Sequence, residues 1–435
     1  MEYPYVIDGA AGRDVVLPAM YEVRQQFDVL PEVDALVALA AEWPRAAEPL
    51  ARLTPGASIA VGVGSRGITG IAMLVRDVVA RLRAAGCEPV IVPAMGSHGG
   101  ATAEGQTSVL ASLGVTEESV GAPVRATMGV VSLGEVDGIP LYLDRFAWAA
   151  DGIVLINRVK PHTDFHGHVE SGLMKMLVIG LGKQAGAEHY HRLSVVRGLA
   201  DTVPTAARAL LERANVVLGV MLVENEEHRT ATVRVVPPEE IEETETLLLD
   251  LARWHLPDLP VDDIDLLILD EMGKDISGNG LDPNVTGRNV TPWAAHPPRP
   301  RVSRIFVRDL TEASHGNACG LACVDAVTTR FLERFDYRAT LMNGFTSAAP
   351  EDGKMPMVFA ADHDAVTTLL TLTRPTTCED VRVVYARNTL EVARLWVSAG
   401  CLPVLRELPT CTVNDAPRTF EFDDAGALLS PFGAR

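Results

Sequence analysis

The sequence is short of aromatic residues, of basic residues and of long apolar runs, and each shortage narrows what the chain can be. Aromatic side chains make up 5% of the 435 residues while 47% are hydrophobic, a bias typical of tightly packed α/β layers. Lys and Arg (38) are outnumbered by Asp and Glu (57), so the formal net charge is −19. Such a surface repels phosphate backbones and anionic membranes, and we therefore expect neither a nucleic-acid partner nor a membrane partner.

Three further absences bear on location. No apolar run reaches the ~18 residues that span a bilayer, and the first residues, MEYPYVIDGAAGRDVVLP, lack the basic and apolar regions of a signal peptide. The cysteines are few and scattered along the chain: Cys87, Cys319, Cys323, Cys378, Cys401 and Cys411. This usage is typical of a reduced compartment, so we expect a cytoplasmic protein.

Alternating apolar runs and glycine turns predict an α/β fold. Strands are predicted at 58–64, 88–94, 152–157 and 264–269, and helices at 68–85, 104–113, 238–254 and 318–335. Because 435 residues exceed one ordinary core, we expect two α/β domains with an active-site cleft between them. The predicted N-terminal domain, 1–258, binds the cofactor and carries catalytic residues, and 259–435 forms the C-terminal domain.

Two glycine turns follow the first two predicted strands, where ligands of parallel sheets usually bind. In Gly62-Val63-Gly64-Ser65-Arg66-Gly67 the glycines let a phosphate approach the backbone, Ser65 can donate a hydrogen bond, and Arg66 can clamp an anion. The turn matches GxGxxG, but no acidic residue ends the following strand, so a dinucleotide site is not predicted. In Gly96-Ser97-His98-Gly99-Gly100, His98 has little cover and is expected to face a ligand.

Five of the eleven histidines lie between residues 162 and 191: His162, His166, His168, His189 and His191. Imidazole is suited both to metal ligation and to proton transfer near neutral pH. From the residues alone, a zinc hydrolase is the leading interpretation, because His166/His168 and His189/His191 are close pairs and Asp164 or Glu170 could act as the base.

A zinc site does not explain Lys175, which stands in the apolar run Ser-Gly-Leu-Met-Lys-Met-Leu. A desolvated lysine in such surroundings is a nucleophile or a covalent attachment point. By contrast, Lys160 and Lys183 need be no more than surface charges. In the second half, the polar segment 270–284 follows a predicted strand, and its Lys274 could pair with a substrate carboxylate, although a plain loop also explains the segment.

Together these motifs resemble the lactate racemase family, from Ser58 to about Arg192 and more weakly to Asn284. The matching residues are an arginine after an early strand, a histidine in a Gly-x-His turn, a histidine after proline, a lysine after a glycine-rich turn, a histidine sixteen residues beyond that lysine, and a later lysine: Arg66, His98, His162, Lys175, His191 and Lys274. Val63 and Gly67 stand where that family has Asp and Pro, and the interval from His162 to Lys175 is about three residues longer, so His166 could replace His162 and His189 rivals His191.

The resemblance implies a racemase or epimerase that inverts C2 of a small 2-hydroxy acid. Hydride would pass to and from a nickel-pincer nucleotide (pyridinium-3,5-bisthiocarboxylic acid mononucleotide nickel) through a 2-keto acid intermediate. The implied roles are proton transfer by His98 and His162, substrate binding by Arg66 and Lys274, covalent attachment to Lys175, cofactor contacts from Gly64, Ser65 and Gly172, and nickel ligation by His191.

The implied partners are the hydroxy acid and the enzymes that synthesise the cofactor. Two other functions stay open at this point. One is a zinc-dependent hydrolase that uses the His189/His191 region, and the other is a non-catalytic nucleotide-binding protein on the same scaffold.

Overall fold

The computed structural model describes residues 5–9, 15–65, 67–163, 165–289, 299–346, 348–373 and 377–433. Arg66 and Asp164, both singled out in the sequence, lie outside the described residues. The chain divides into two compact units. We call Val29–Leu256 the central unit, and Met1–Asp28 together with Pro257–Arg435 the terminal unit.

The described strands and helices alternate along most of the chain. The strands are β1 (Val6–Ile7), β2 (Met20–Gln25), β3 (Ser58–Val63), β4 (Glu88–Pro93), β5 (Val130–Val136), β6 (Ile139–Asp144), β7 (Gly152–Arg158), β8 (Val216–Glu224), β9 (Thr230–Val236), β10 (Asp263–Met272), β11 (Arg301–Leu310), β12 (Ala326–Thr328), β13 (Met357–Phe359), β14 (Val383–Ala386), β15 (Arg394–Ser398) and β16 (Cys411–Val413). The α-helices are α1 (Ala35–Glu42), α2 (Ala47–Ala51), α3 (Ile71–Ala84), α4 (Ala103–Ser112), α5 (Glu117–Val120), α6 (Arg145–Ala149), α7 (Leu173–Lys175), α8 (Lys183–Arg197), α9 (Leu199–Arg213), α10 (Ile241–Trp254), α11 (Pro283–Thr286), α12 (Thr329–Arg334), α13 (Tyr337–Thr346), α14 (Asp362–Thr371) and α15 (Leu402–Leu405). Within the described ranges, none of these helices combines the length and the apolar character needed to cross a membrane.

The central unit is built on a five-stranded sheet in the order β4-β3-β7-β8-β9. The first four strands run parallel and β9 runs antiparallel to β8. Both faces of the sheet are buried, as the continuous apolar runs predict. On β3, Ile59 and Val61 belong to the core that includes α3, and Ala60 belongs to the core that includes α9. The predicted parallel α/β sheet is therefore confirmed.

The terminal unit has a nine-stranded sheet in the order β1-β13-β12-β11-β10-β14-β15-β2-β16. The strands from β1 to β14 in this order are parallel to one another. The remaining pairs, β14–β15, β15–β2 and β2–β16, are antiparallel. Strand β2 pairs with β15 and β16, so the first 28 residues group with Pro257–Arg435. The division predicted from the sequence, 1–258 and 259–435, differs in these first residues. Both units are α/β, as predicted.

One predicted helix, 318–335, is wrong. The segment holds a 3-10 turn (Leu321–Cys323), strand β12 and the short helix α12. Gly320 has φ +91° just before the turn, which interrupts any helix through it. Val327 is fully buried in the sheet between β11 and β13, and such β pairing outweighs the weak helical pattern of the sequence.

Candidate active site

The carboxyl ends of β4, β3 and β7 lie side by side in the central unit, because these strands are neighbours and parallel. Gly64 follows β3 without a side chain, and a Cβ there would come within 3.2 Å of Met176 Cε and 3.6 Å of Asn157 Oδ1. Asn157, near the end of β7, donates from Nδ2 to the carbonyl of Gly172 at 3.0 Å. The turn after β3 and the segment that carries Lys175 are thus in direct contact.

The Lys175 segment is a short helix, α7, followed by a π-helical turn, Met176–Gly180. This turn reaches the end of β4, where the N–H of Gly96 donates to the carbonyl of Gly180 at 3.0 Å. Lys175 itself is half-buried, and its Nζ lies 5.8 Å from the centre of the Phe165 ring. Single π-helical turns are frequent at functional sites. The three strand ends, including the two glycine turns, therefore converge on the Lys175 segment.

The buried carboxyl group of Glu245 packs against α7. Glu245 on α10 is fully buried and accepts a hydrogen bond from the N–H of Met174 at 2.9 Å. A Cβ on Gly172 would lie 2.3 Å from the Glu245 carboxyl carbon, so any larger residue there would displace the Glu245 side chain. Burial raises the pKa of Glu245 to about 7, against the lowering effect of the N–H groups of Met174 and Leu173. The sequence did not single out Glu245, since nothing in the local pattern of α10 shows what it faces.

His98 is exposed in the turn after β4, as predicted. Its Nδ1 lies 2.5 Å from the hydroxyl of Ser65, which belongs to the turn after β3. A hydroxyl bonded at Nδ1 restricts the orientation of the His98 ring. The pair joins two of the predicted turns through their side chains. Arg66, next in the chain, is outside the described residues.

The loop that carries His162 folds around the buried carboxylate of Glu170. Glu170 accepts the N–H of His162 at 2.5 Å and the N–H of Gly167 at 3.1 Å, and Arg253 of α10 donates to it at 2.6 Å. His166 Nδ1 lies 3.4 Å from the same carboxylate, and its Nε2 is buried with no partner among the described residues. Burial alone would raise the pKa of Glu170, but hydrogen bonds from His166 and His162 and the charge of Arg253 lower it overall.

Glu170 is thus a structural acceptor in this loop and not an exposed base. The ring of His162 is half-buried and stacks against Phe165, with 4.5 Å between ring centres. Since Phe165 also lies beside the Lys175 amine, His162 and Lys175 flank the same aromatic ring. His168 instead bonds Glu242 at 2.8 Å on the exposed surface.

The two candidate nickel ligands on α8 differ in their surroundings. His191 is half-buried, and burial together with the charge of Lys175 lowers its pKa to about 4. Its imidazole is therefore neutral near pH 7, the form that binds metals. His189 is exposed and lies 5.7 Å from the Tyr142 ring, centre to centre. His191 and not His189 shares its environment with Lys175.

Lys183 corrects another prediction from the sequence. It is fully buried rather than a surface charge, and its Nζ lies 3.1 Å from Asp144 Oδ2. In the terminal unit, Lys274 is half-buried and donates from Nζ to the carbonyl of Gly278 at 2.5 Å within its own loop.

No group of three or more His, Cys, Asp or Glu side chains suited to hold a metal ion occurs in the part of the chain that the structure describes. The zinc-hydrolase interpretation therefore has no complete ligand set there.

Comparison with known families agrees with this geometry. Residues 22–202 match the family model of the lactate racemase N-terminal domain, a range that includes Ser65, His98, His162, Lys175 and His191. This part of the chain is similar to a lactate racemase N-terminal domain. Within this domain lie all the described strand ends and turns that converge on Lys175. Helix α10, with Glu245 and Arg253, follows the matched residues.

The fold of the whole chain is also similar to a solved structure, that of the lactate racemase apoprotein from Thermoanaerobacterium thermosaccharolyticum. The TM-score is 0.52 and the identity 12%, with 85% of this chain and 94% of that one covered. At this identity the likeness shows the two-domain α/β fold alone. None of the curated proteins matches the sequence.

Proposed function

We propose that the protein is a racemase or epimerase of a small 2-hydroxy acid and works with a nickel-pincer nucleotide attached to Lys175. The observation that carries the proposal is the shared environment of Lys175 and His191 inside a lactate racemase N-terminal domain. A covalent attachment point beside a neutral imidazole is the arrangement that a tethered metal-containing group requires.

The residues present fit such a group. His191 would hold the nickel of this group through an imidazole nitrogen that is unprotonated near neutral pH. The glycines at 64 and 172 let Met176 and the Glu245 carboxyl group pack directly against the backbone on either side of Lys175. Ser65 and the following Arg66 are our candidates for the phosphate end. When bound, the group supplies the acceptor for the C2 hydride.

The chain's own task is to bind the acid and to move the hydroxyl proton. His98 and His162 are the proposed bases, one for each enantiomer, because the two enantiomers present their hydroxyl groups in opposite directions. Ser65 holds the His98 ring through Nδ1, and the Glu170 cluster holds the backbone of His162. Arg66 and Lys274 remain our candidates for the substrate carboxylate.

The test uses protein produced together with the cofactor-synthesis enzymes and incubated with enantiopure 2-hydroxy acids carrying deuterium at C2. Chiral chromatography should show one or more acids approaching a racemic or epimeric mixture, with the deuterium retained in the inverted product. Retention follows because the C2 hydrogen leaves and returns as hydride without meeting solvent. Loss of the deuterium to water, or no inversion of any acid by protein that contains nickel, would overturn the proposal.

Attachment to Lys175 is checked on the same preparation. The intact mass should exceed that of the chain by the mass of the bound group, and Lys175→Ala should remove the excess. Lys160→Ala is the matched control, since Lys160 is an exposed lysine of the same segment and should keep the adduct. An adduct that survives Lys175→Ala would remove the assignment.

A further inference from the structure

Lys183 is a buried cation whose position the proposed reaction leaves unexplained. Its side chain and that of Asp144 are both fully buried, with Nζ and Oδ2 3.1 Å apart. Nζ also donates to the side-chain oxygen of Gln106 at 2.9 Å and to the carbonyl of Pro93 at 2.5 Å. A charge this deep is retained in a protein only when it is paired and hydrogen-bonded, as Lys183 is by Asp144, Gln106 and Pro93.

The two acceptors and the ion-pair partner of Lys183 belong to three different elements. Pro93 ends β4, Gln106 lies on α4, and Asp144 ends β6 and caps α6 through the N–H groups of Phe146 and Ala147. Lys183 is the first residue of α8 and has φ +56°, a conformation that residues with a Cβ rarely adopt. The surrounding contacts therefore hold Lys183 in place at a sterically unfavourable position.

Gln106 connects Lys183 to the catalytic turn. Because the oxygen of the Gln106 amide faces the lysine cation, its nitrogen must face the other way. This nitrogen donates to the carbonyl of Gly96 at 2.8 Å and to the carbonyl of His98 at 3.4 Å. Gln106 is itself fully buried, so water cannot replace these bonds. The cation fixes the amide, and the amide fixes the turn.

We propose that Lys183 is a positioning residue that holds His98 in place through Gln106 and links this turn to the helix that carries His191. The inference rests on the proposed function for its catalytic meaning. The contacts themselves run from Lys183 at the start of α8, through Gln106 on α4, to the turn after β4. Loss of the chain should disturb His98 while leaving the attachment at Lys175 intact.

The decisive variant is Gln106→Glu. A carboxylate still accepts from Lys183, but it cannot donate to the carbonyls of Gly96 and His98, so the turn loses its support while the buried cation keeps its partner. We expect kcat to fall on the order of 10-fold or more, since small displacements of a catalytic group have effects of this size. KM and the nickel content should stay unchanged. Gln184→Glu, the same change at an exposed position of α8, is the control and should leave kcat unchanged.

The position of His98 can be followed without the cofactor. Proton–carbon NMR of ring-labelled histidine should show a shifted His98 titration in Gln106→Glu and in Lys183→Met, with the His98 signal assigned by its loss in His98→Ala. If Lys183 acts through Gln106, the combination of Lys183→Met with Gln106→Leu should lower kcat no further than the stronger single variant. Additive losses, or an unchanged His98 titration in folded variants, would overturn the inference.

These readouts separate the inference from the proposed function. A shifted His98 titration in a protein that inverts no hydroxy acid would support the positioning chain and count against the racemase. Inversion of a hydroxy acid, with His98 titration and kcat unchanged in the variants, would support the racemase and overturn the positioning role of Lys183. A thermal melt on each variant identifies those that fail to fold, and Gln106→Glu, which keeps the ion pair satisfied, is then the variant that decides.

Discussion

Glu245 accepts the N–H of Met174 at 2.9 Å, one residue before Lys175. The carboxyl group is fully buried, and its other oxygen has no hydrogen-bond partner among the described residues. Burial raises its pKa to about 7. The proposed attachment point, Lys175, therefore follows a backbone N–H that is bonded to a carboxyl group with a raised pKa.

The first prediction concerns the pH dependence of stability through Glu245. The folded-state pKa, about 7, is above the unfolded value of 4.5, so the favourable contribution is complete below about pH 4.5 and is lost as the pH rises through 7. Glu245→Gln keeps an oxygen for Met174 but cannot ionise. We expect the variant to match the wild type near pH 4.5 and to exceed it by about 3 kcal/mol in free energy of unfolding above pH 8.

Urea denaturation between pH 4.5 and 9 measures this difference. Glu243→Gln, an exposed residue on the same helix, is the matched control and should run parallel to the wild type. If Glu245→Gln also runs parallel, the carboxyl group does not titrate in this range and the pKa assigned to it is wrong.

The second prediction separates the two histidines of α8. His191 lies in the environment of Lys175, whereas His189 is exposed beside Tyr142. His191→Ala should therefore lose most of the nickel, because a single imidazole provides the proposed protein ligand, and His189→Ala should retain it. Elemental analysis of both variants, produced with the cofactor-synthesis enzymes, gives nickel per chain. The reverse result would place the metal on the opposite face of α8.

The third prediction concerns His98. Its removal in His98→Ala should lower kcat by about 10²-fold or more in both directions, since each inversion uses both bases in turn. Nickel content and the adduct at Lys175 should persist. Ser65→Ala removes only the hydroxyl 2.5 Å from Nδ1 and should cause a smaller fall, about tenfold, as expected for one lost hydrogen bond. Kinetics in each direction test this, and normal turnover in His98→Ala would refute the role.

Local patterns were sufficient to predict much of the central unit. The apolar run at 58–64 ends in glycines, so both β3 and its turn could be recognised. The closeness of the two glycine turns could also be predicted, because parallel strands in one sheet end at the same edge. The local sequence did not reveal the residues beneath the turns. Lys183 and Gln106 stand 77 positions apart, and a lysine gives no local sign that it is buried.

Non-local pairing explains the other differences. Strand β2 joins β15 although some 370 residues separate Glu22 from Arg394, which bond each other through their side chains. No periodicity near the chain start indicates such a partner. Glu170 illustrates the same limit within the site. Its position among histidines favoured a base, whereas the fold buries it and surrounds it with donors.

One helix, α10, reaches both halves of the proposed site. Glu245 caps the Lys175 turn, and Arg253, eight residues later on the same face, donates to Glu170 at 2.6 Å. Arg253 also donates to the carbonyl of Gly167 in the His162 loop. This helix lies beyond the residues that match the lactate racemase N-terminal domain, so residues outside the match support the His162 loop.

The last prediction tests that support through Arg253→Met. The change leaves Glu170 fully buried without its cationic partner, although the N–H groups of His162 and Gly167 remain. We expect the free energy of unfolding to fall by about 2 kcal/mol, less than for a fully buried pair because Arg253 is one-third exposed. The lost contact also fixes the loop that carries His162. We therefore expect kcat to fall even under conditions where the variant remains fully folded. Arg208→Met breaks an exposed pair with Glu242 and serves as the control, with an expected change below about 1 kcal/mol. Equal effects in the two variants, measured by urea denaturation, would show that Glu170 does not depend on Arg253 for its charge.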